Sequence, residues 1–127
     1  MGGLVARHYL EVLNGWHDCR LLVTFGTPHR GSIQALNYLS NGHKIGLQDL
    51  TTLVRSFTSI YQLLPIYPVI NANGANYRVA ELPGLPYINQ QRAQKALAFH
   101  REIEAAVEQH RTDAHYLRDG YQIRVLA

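Results

Sequence analysis

Cysteine, tryptophan and methionine are almost missing from this chain of 127 residues, each occurring once. The single cysteine, Cys19, excludes a disulfide within the chain. The seven histidines are scattered, and none forms a His-x-x-x-His pair or joins a Cys-x-x-Cys pair that could begin a metal site. We therefore expect no metal ligands and no cofactor, and we interpret Cys19 as structural.

Long apolar runs and concentrated charge are missing as well. No stretch approaches the ~18 apolar residues of a membrane-spanning helix, so we predict no transmembrane segment. The formal net charge is only +3, and the basic residues are spread along the chain, which favours a solvated surface over nucleic-acid binding. Residues 1–7 lack the features of a signal peptide, and the sequence assigns no compartment.

The first third of the chain carries a helix and a strand. Apolar residues at helical spacing predict a helix over 2–13, ended by Asn14-Gly15. The nearly continuous apolar run over 20–25 fits a buried parallel strand better than a half-exposed one. Ser32 is expected to cap a helix over about 33–40, because its hydroxyl can accept a hydrogen bond from a free amide of the first turn.

The middle of the chain is expected to be mostly helical. Residues 47–64 predict one or two amphipathic helices ended by Pro65, and their apolar stripe suits a lipid-facing lid and core packing equally well. Residues 69–79 fit a hairpin around Asn73-Gly74 or an extended loop. Pro83–Pro86 is a rigid connector.

The last third repeats the order of helix and strand. Residues 88–110 predict the longest helix, whose apolar stripe is Ala93, Ala96, Leu97, His100, Ile103 and Val107. Thr112-Asp113 can cap a short helix that stops at Gly120, and residues 121–127 begin a strand. Because two isolated strands do not form a stable sheet, we expect partner strands that this sequence does not contain.

Three segments carry a family resemblance. Residues 1–7, Met-Gly-Gly-Leu-Val-Ala-Arg, resemble the second half of the nucleophile elbow of lipase-like serine α/β-hydrolases, Gly-His-Ser-Met-Gly-Gly-Leu-Val-Ala-Arg. Residues 25–32, Phe-Gly-Thr-Pro-His-Arg-Gly-Ser, resemble a Gly-Thr-Pro-His-x-Gly-Ser loop of lipases and of lecithin:cholesterol acyltransferase-like proteins. Residues 61–65, Tyr-Gln-Leu-Leu-Pro, resemble the cap region of the acyltransferase-like group.

The resemblance implies an α/β chain that is an internal fragment of an α/β-hydrolase fold. It would hold the helix after the nucleophile, one core strand, a mostly helical cap and the start of the next core strand. The implied divisions are a core fragment over 1–31, a cap- or lid-like insertion over 32–120 and the next core strand over 121–127. A predicted helix that begins at Gly2 without an N-cap agrees with a fragment.

The same resemblance places every catalytic group outside this sequence. The nucleophilic serine would stand immediately before Met1, and Met1 would then occupy the position whose amide helps to form the oxyanion hole. Gly2 and Gly3 would let the elbow pack tightly. The acid would follow Ala127 and the histidine would lie farther on, so the chain as written is expected to be inactive.

For four residues within the chain, we weighed a catalytic role against a structural role and favour the structural one. His29 comes at the wrong point of the serine–acid–histidine order and lies in a loop that is usually structural. Ser32 could be proposed as a replacement nucleophile, but helix capping explains a serine at this position more simply. Asp49 and Asp113 fall in expected helical cap segments rather than at a strand end, which favours solvated or capping roles.

The function implied by the family is acyl-ester hydrolysis or acyl transfer by a serine esterase, lipase or O-acyltransferase of lipid metabolism, acting on a lipid or ester substrate. An alternative is a non-catalytic, partner-binding relic of the same fold. A third hypothesis is that complementing chain segments supply the missing strands and the catalytic triad. The sequence leaves substrate, acyl acceptor and oligomeric state open.

Overall fold

The computed structural model describes residues 1–45 and 47–126. The helices are α1 (Gly2–Glu11), α2 (Ile33–Asn41), α3 (Thr51–Ser56), α4 (Thr58–Gln62), α5 (Gln90–His110) and α6 (Ala114–Asp119). The strands are β1 (Leu21–Phe25), β2 (Lys44–Ile45), β3 (Gln48–Asp49), β4 (Ile70–Ala72), β5 (Ala75–Tyr77) and β6 (Gln122–Leu126). This mixture of helix and strand agrees with the general α/β class expected from the sequence.

The chain divides into two compact units. Unit 1 comprises residues 1–29 and 101–127, and unit 2 comprises residues 30–100. Unit 1 therefore joins two segments that are distant in sequence, whereas unit 2 is one continuous segment.

In unit 1, helix α1 ends two residues earlier than predicted. Its last helical residue is Glu11, and the predicted stop is confirmed by Asn14, whose φ of 55° places it in the left-handed region. A short 3-10 turn over Gly15–Asp18, which the sequence pattern did not indicate, leads toward β1. At the other end, Met1 precedes α1 without a side-chain cap, as expected.

The two predicted strands of unit 1 pair with each other. β1 and β6 are parallel, and their register runs from Leu21 opposite Gln122 to Phe25 opposite Leu126. A parallel pair needs a long crossover connection, which the chain between β1 and β6 supplies. Ala127, the last residue of the predicted strand, lies outside the described residues.

The expectation that β1 is a buried strand is wrong. Leu21, Val23 and Phe25 are 48%, 41% and 75% exposed, and only Thr24 is buried. Within the described chain this sheet has two strands, so little is available to cover the face that carries the three exposed side chains. The apolar run is suited to a buried strand, and the described residues leave most of its side chains uncovered.

Unit 2 begins with helix α2, which forms as predicted. The Ser32 hydroxyl accepts a hydrogen bond from the Gln34 amide at 3.1 Å, and Gly42, with φ of 77°, follows the last helical residue. Its side chains Ala35 and Leu39 are buried.

The predicted helical region over 47–64 is corrected at its start. Lys44–Ile45 and Gln48–Asp49 form a short antiparallel pair, so the helices begin only at Thr51. Asp49 therefore lies in a strand rather than in a helical segment. Its carboxylate accepts a hydrogen bond from the Thr51 amide at 2.9 Å, which fixes the start of α3.

The hairpin predicted over 69–79 is confirmed. β4 and β5 are antiparallel, with Ala72 opposite Ala75, and Asn73 and Gly74 form the two-residue loop. Both loop residues have positive φ, 51° and 79°, as a type I′ turn requires.

The core of unit 2 gathers side chains from α2, α4, the segment after the hairpin and α5. Its buried members are Leu39, Tyr61, Leu64, Val79, Ala80, Ala93 and Ala96. The stripe over 47–64 divides accordingly, because its second half packs in this core while Leu47, Leu53 and Phe57 are exposed. Core packing thus explains the second half of the stripe, and it does not explain the first.

Candidate functional site

Two of the resembling segments meet in unit 1. A Cβ atom placed on Gly3 would lie 2.5 Å from the Thr27 Oγ1 atom and 2.6 Å from its Cγ2 atom, closer than real Cβ atoms approach other atoms. The start of α1 therefore packs directly on the loop after β1, and a larger residue at position 3 would force them apart. At Gly2 an added Cβ atom would meet open space.

The loop after β1 begins at the carboxyl edge of the parallel pair. The Gly26 amide donates to the Leu126 carbonyl at 2.8 Å, so the ladder of hydrogen bonds continues to the ends of both strands. Gly26 then turns the chain with φ of 56°. In open α/β sheets, ligands bind outside the carboxyl ends of the strands, which makes this edge the candidate site.

His29 is the imidazole nearest this edge in sequence, and β1 positions it. Its Nε2 atom lies 3.1 Å from the Thr24 hydroxyl, and its Nδ1 atom is buried without a hydrogen-bond partner among the described residues. Burial, the Arg7 guanidinium and the N-terminal ammonium group, in decreasing order, lower the pKa of His29 below its usual value. The neutral ring is therefore favoured, and a lowered pKa makes it a weaker base.

Met1 lies at the start of α1, where the resemblance places an oxyanion-hole amide. Its own carbonyl accepts a hydrogen bond from the Leu4 amide at 2.9 Å, so this carbonyl is held within the first helical turn. The positive end of the α1 dipole lies at the same place, where a developing negative charge would be stabilised.

The other catalytic candidates are engaged in local structure. Ser32 caps α2, and the Asp49 carboxylate accepts a hydrogen bond from the amide of Thr51, the first residue of α3. Asp113 accepts hydrogen bonds from the amides of His115 and Tyr116 at 2.8 and 3.2 Å, and these two bonds lower the pKa of its carboxyl. The predicted cap before α6 is thus confirmed.

No metal cluster is found in the part of the chain that the structure describes: no group of three or more His, Cys, Asp or Glu side chains there could hold a metal ion. Among the same residues, no helix is both long enough and apolar enough to cross a membrane.

Unit 1 also contains a cluster of polar side chains that the sequence did not predict. Glu11 is 3% exposed, and its carboxylate lies 2.8 Å from the Nδ1 atom of His110. The same carboxylate accepts hydrogen bonds from the hydroxyls of Tyr116 and Tyr121 at 3.1 and 2.6 Å. The Nε2 atom of His110 lies 3.1 Å from the Asn14 Oδ1 atom. We call these five residues the Glu11 cluster.

The Glu11 cluster holds its tyrosines as neutral donors. Burial, followed by the adjacent Glu11 carboxylate, raises the pKa of Tyr116 to about 12. Burial and a hydrogen bond to Glu11 also raise the pKa of Tyr121. Tyr121 directly precedes β6, so the cluster lies at the amino end of this strand, away from the carboxyl edge at which ligands bind. We interpret it as a polar core that joins α1 to the C-terminal segment.

No sequence signal could have shown this cluster. Glu11 and His110 are 99 positions apart, and each falls in a helix where a polar residue normally faces solvent. Only the return of the chain to form β6 beside β1 brings the two side chains together.

Comparison of the chain with protein families, with curated proteins and with solved structures finds no match to any of them.

Proposed function

We propose that this chain carries the segment between the nucleophile elbow and the acid-bearing strand of a lipase-like serine α/β-hydrolase, similar to the lecithin:cholesterol acyltransferase-like group. The intact enzyme would hydrolyse or transfer the acyl group of a lipid-like ester. The observation that carries the proposal is the contact between Gly3 and Thr27 beside the parallel β1–β6 pair. It joins the two resembling motifs at the sheet edge where such enzymes work.

In the proposed enzyme, the residues of this chain shape one side of the site. A serine before Met1 would attack the ester carbonyl, and the amide at the Met1 position together with the start of α1 would stabilise the oxyanion. Gly3 and Thr27 would fix the distance between the elbow and the adjoining loop. The Thr24–His29 pair would support that loop, while the base would be a histidine outside this sequence.

The uncovered strands of unit 1 support the same proposal. Parallel sheets are normally covered on both faces, and two strands alone do not form a stable sheet. The exposed apolar side chains of β1 and β6 are therefore what two strands of a larger sheet would present. Further strands from complementing segments would bury them, and they would also carry the serine and the acid.

The proposal is tested first by sequencing the DNA on both sides of the reading frame and then by assaying the extended protein. We expect in-frame Gly-x-Ser codons directly before Met1, and Asp and His codons after Ala127. The chain extended by these segments should hydrolyse a p-nitrophenyl acyl ester and should be labelled by a fluorophosphonate, and replacement of the new serine by alanine should abolish both. A stop codon immediately upstream, with a transcript that begins at Met1, would contradict the proposal.

A second candidate function is that of a non-catalytic binding protein of the same fold. The closed apolar core of unit 2 favours it, because a continuous segment of the chain buries its own apolar side chains. Thermal unfolding of the 127-residue chain distinguishes the two. A monomeric chain with a sharp transition favours the binding protein, whereas association through exposed strands favours the hydrolase segment.

A further inference from the structure

An apolar cleft of about 350 Å³ opens in unit 2, between α2, strand β4 and the loop before α5. Its apolar lining consists of Leu36, Ile70, Leu85, Pro86, Tyr87 and Ile88. Two polar residues from the end of α2, Ser40 and Asn41, complete the lining. The volume falls at the lower end of the range for ligand sites, and a mostly apolar lining with a few polar groups is typical of such sites.

One wall of the cleft has an uncommon backbone conformation. Tyr87 has φ of 62°, a left-handed value that a bulky aromatic side chain rarely adopts. The Arg55 guanidinium lies over the Tyr87 ring, 4.1 Å from its centroid. Strain of this kind persists only where the surroundings enforce it, and it is concentrated at functional sites.

The same arginine ties this wall to α2. Its Nε and Nη2 atoms donate to the carbonyls of Leu39 and Ser40 at 2.9 and 3.1 Å. Tyr87 is thereby supported by a side chain that is itself anchored to the helix lining the cleft. A wall fixed in this way costs a ligand little ordering entropy on binding.

The lining selects the chemistry of the occupant. The eight lining residues are uncharged, and the neighbouring Arg55 guanidinium already donates to the Leu39 and Ser40 carbonyls, so a charged group placed deep within the cleft would lose its hydration without gaining a free ionic partner. Of the six apolar residues, four are branched aliphatic, one is a proline and one is a tyrosine, so burial of apolar area, rather than stacking between aromatic rings, would provide the affinity. An uncharged aliphatic chain satisfies both conditions.

We propose that this cleft is a binding site for the aliphatic chain of an uncharged ligand, such as a medium-chain ester, whose polar end lies toward Ser40 and Asn41. This inference rests on the geometry of unit 2 alone and does not depend on the proposed ester chemistry.

The test uses the 127-residue chain with labelled Leu and Ile methyl groups. Its probes are a series of methyl esters from butanoate to octanoate, octanoate anion and methyl benzoate. Saturable shifts of the Leu36, Ile70, Leu85 and Ile88 methyl signals are expected with methyl octanoate. From methyl butanoate to methyl octanoate, affinity should rise up to about fourfold for each added methylene. Octanoate anion and methyl benzoate should each bind at least about tenfold more weakly, because charge burial and the single ring oppose them.

A pair of variants locates the site. Leu85→Glu places a carboxylate in the cleft and should weaken methyl octanoate binding at least about tenfold. Leu53→Glu makes the same change at an exposed position of unit 2 and should leave the affinity unchanged. Equal binding by both variants, methyl shifts outside the cleft, or equally tight binding of octanoate anion would each overturn the proposal. If Leu85→Glu fails to fold, as circular dichroism would show, the methyl shifts and the chain-length series on the unaltered chain decide.

Discussion

The two units of this chain differ in the types of side chain that they bury. In unit 2, the most deeply buried side chains are apolar, with Leu39 at 0% and Val79 at 1% exposure. Unit 1 buries apolar side chains such as Leu4 and Ile103 as well, but it also buries a carboxylate, while apolar side chains of β1 as large as Phe25 face solvent. One unit therefore has a closed apolar core, whereas the other combines buried apolar residues with a buried polar cluster and uncovered strands.

This difference follows from how each unit is assembled. Unit 2 is continuous in sequence, and α2, α4, α5 and the hairpin each contribute apolar side chains to one core. Unit 1 joins two distant segments, and its apolar strands have only each other as hydrogen-bonded neighbours in the described sheet. The Glu11 cluster supplies contacts between the two segments, so unit 1 depends on a few specific polar groups.

The largest effect on stability is expected from removal of the buried Glu11 carboxylate in unit 1. Glu11→Leu leaves His110 and two tyrosine hydroxyls without their buried acceptor, and each buried polar group left without a partner costs about 1–3 kcal/mol, or at least about 3 kcal/mol for the three together. We expect a loss of this size in the free energy of unfolding, measured by urea denaturation with tryptophan fluorescence, since Trp16 lies in unit 1.

The control for Glu11→Leu is Glu104→Gln, which removes a carboxylate from an exposed pair with Arg101 on one helix. An exposed pair contributes at most about 1 kcal/mol, so the change should be small. Equal effects of the two substitutions would show that the Glu11 cluster is not the polar core we describe.

A slightly smaller effect is expected in unit 2. Leu39→Ala deletes a fully buried side chain and should cost about 2–5 kcal/mol, through lost burial and the cavity left behind. The matched control is Leu53→Ala, at a position 51% exposed, which should change stability by no more than about 0.5 kcal/mol. Amide hydrogen exchange in both variants measures the protection of each unit separately. Uniform protection across the two units would contradict the difference between them.

Sequence patterns predicted local structure well where the determinants are local. The Ser32 and Asp113 caps and the Asn73-Gly74 turn each depend on residues within a few positions, and each forms as expected. The short β2–β3 pair was missed because its strands have two residues each, too few to show a period. Its presence delays the start of the helices that the stripe over 47–64 predicted.

Burial was predicted less well than secondary structure. The apolar run in β1 has the composition of a buried strand, yet what covers a strand is decided by distant segments. The candidate site shows the same limit. Position in sequence placed Gly3 and Thr27 in separate motifs, and their contact is visible only in three dimensions. The Glu11 cluster, built across about a hundred residues, could not be predicted at all.

Alkaline pH should weaken unit 1 in a defined range. The folded pKa values of Tyr116, about 12, and Tyr121 lie above the ordinary value of 10. Their stabilising contribution is therefore fully present below pH 10 and is lost as pH rises from 10 through the folded pKa. With allowance for the exposed part of Tyr116, we expect a loss on the order of 1 kcal/mol at pH 12.

The measurement for this prediction is urea denaturation between pH 8 and pH 12. Tyr116→Phe/Tyr121→Phe removes both hydroxyls and should flatten the alkaline decline, although it lowers stability at pH 8. Tyr67→Phe, at a tyrosine of unit 2, serves as the control and should keep the decline. A steep decline in the doubly substituted chain would assign the alkaline sensitivity to other groups.

The smallest expected effect concerns His29 beside the proposed site, and it acts at acid pH. Because its folded pKa lies below the unfolded value of about 6.5, the contribution of its neutral form is present above that pH and is lost as pH falls through the folded pKa. Stability measured from pH 8 to pH 5 should thus decline less in His29→Gln than in the unaltered chain, by less than the Leu39→Ala effect. Acetylation of the N-terminus removes one of the three causes and should make the decline smaller, because the folded pKa of His29 then rises toward the unfolded value. Acetylation could instead leave the decline unchanged while His29→Gln flattens it. Burial and Arg7 alone would then lower the pKa of His29, and the charge at the start of α1 would have no measurable effect on the loop that packs against Gly3.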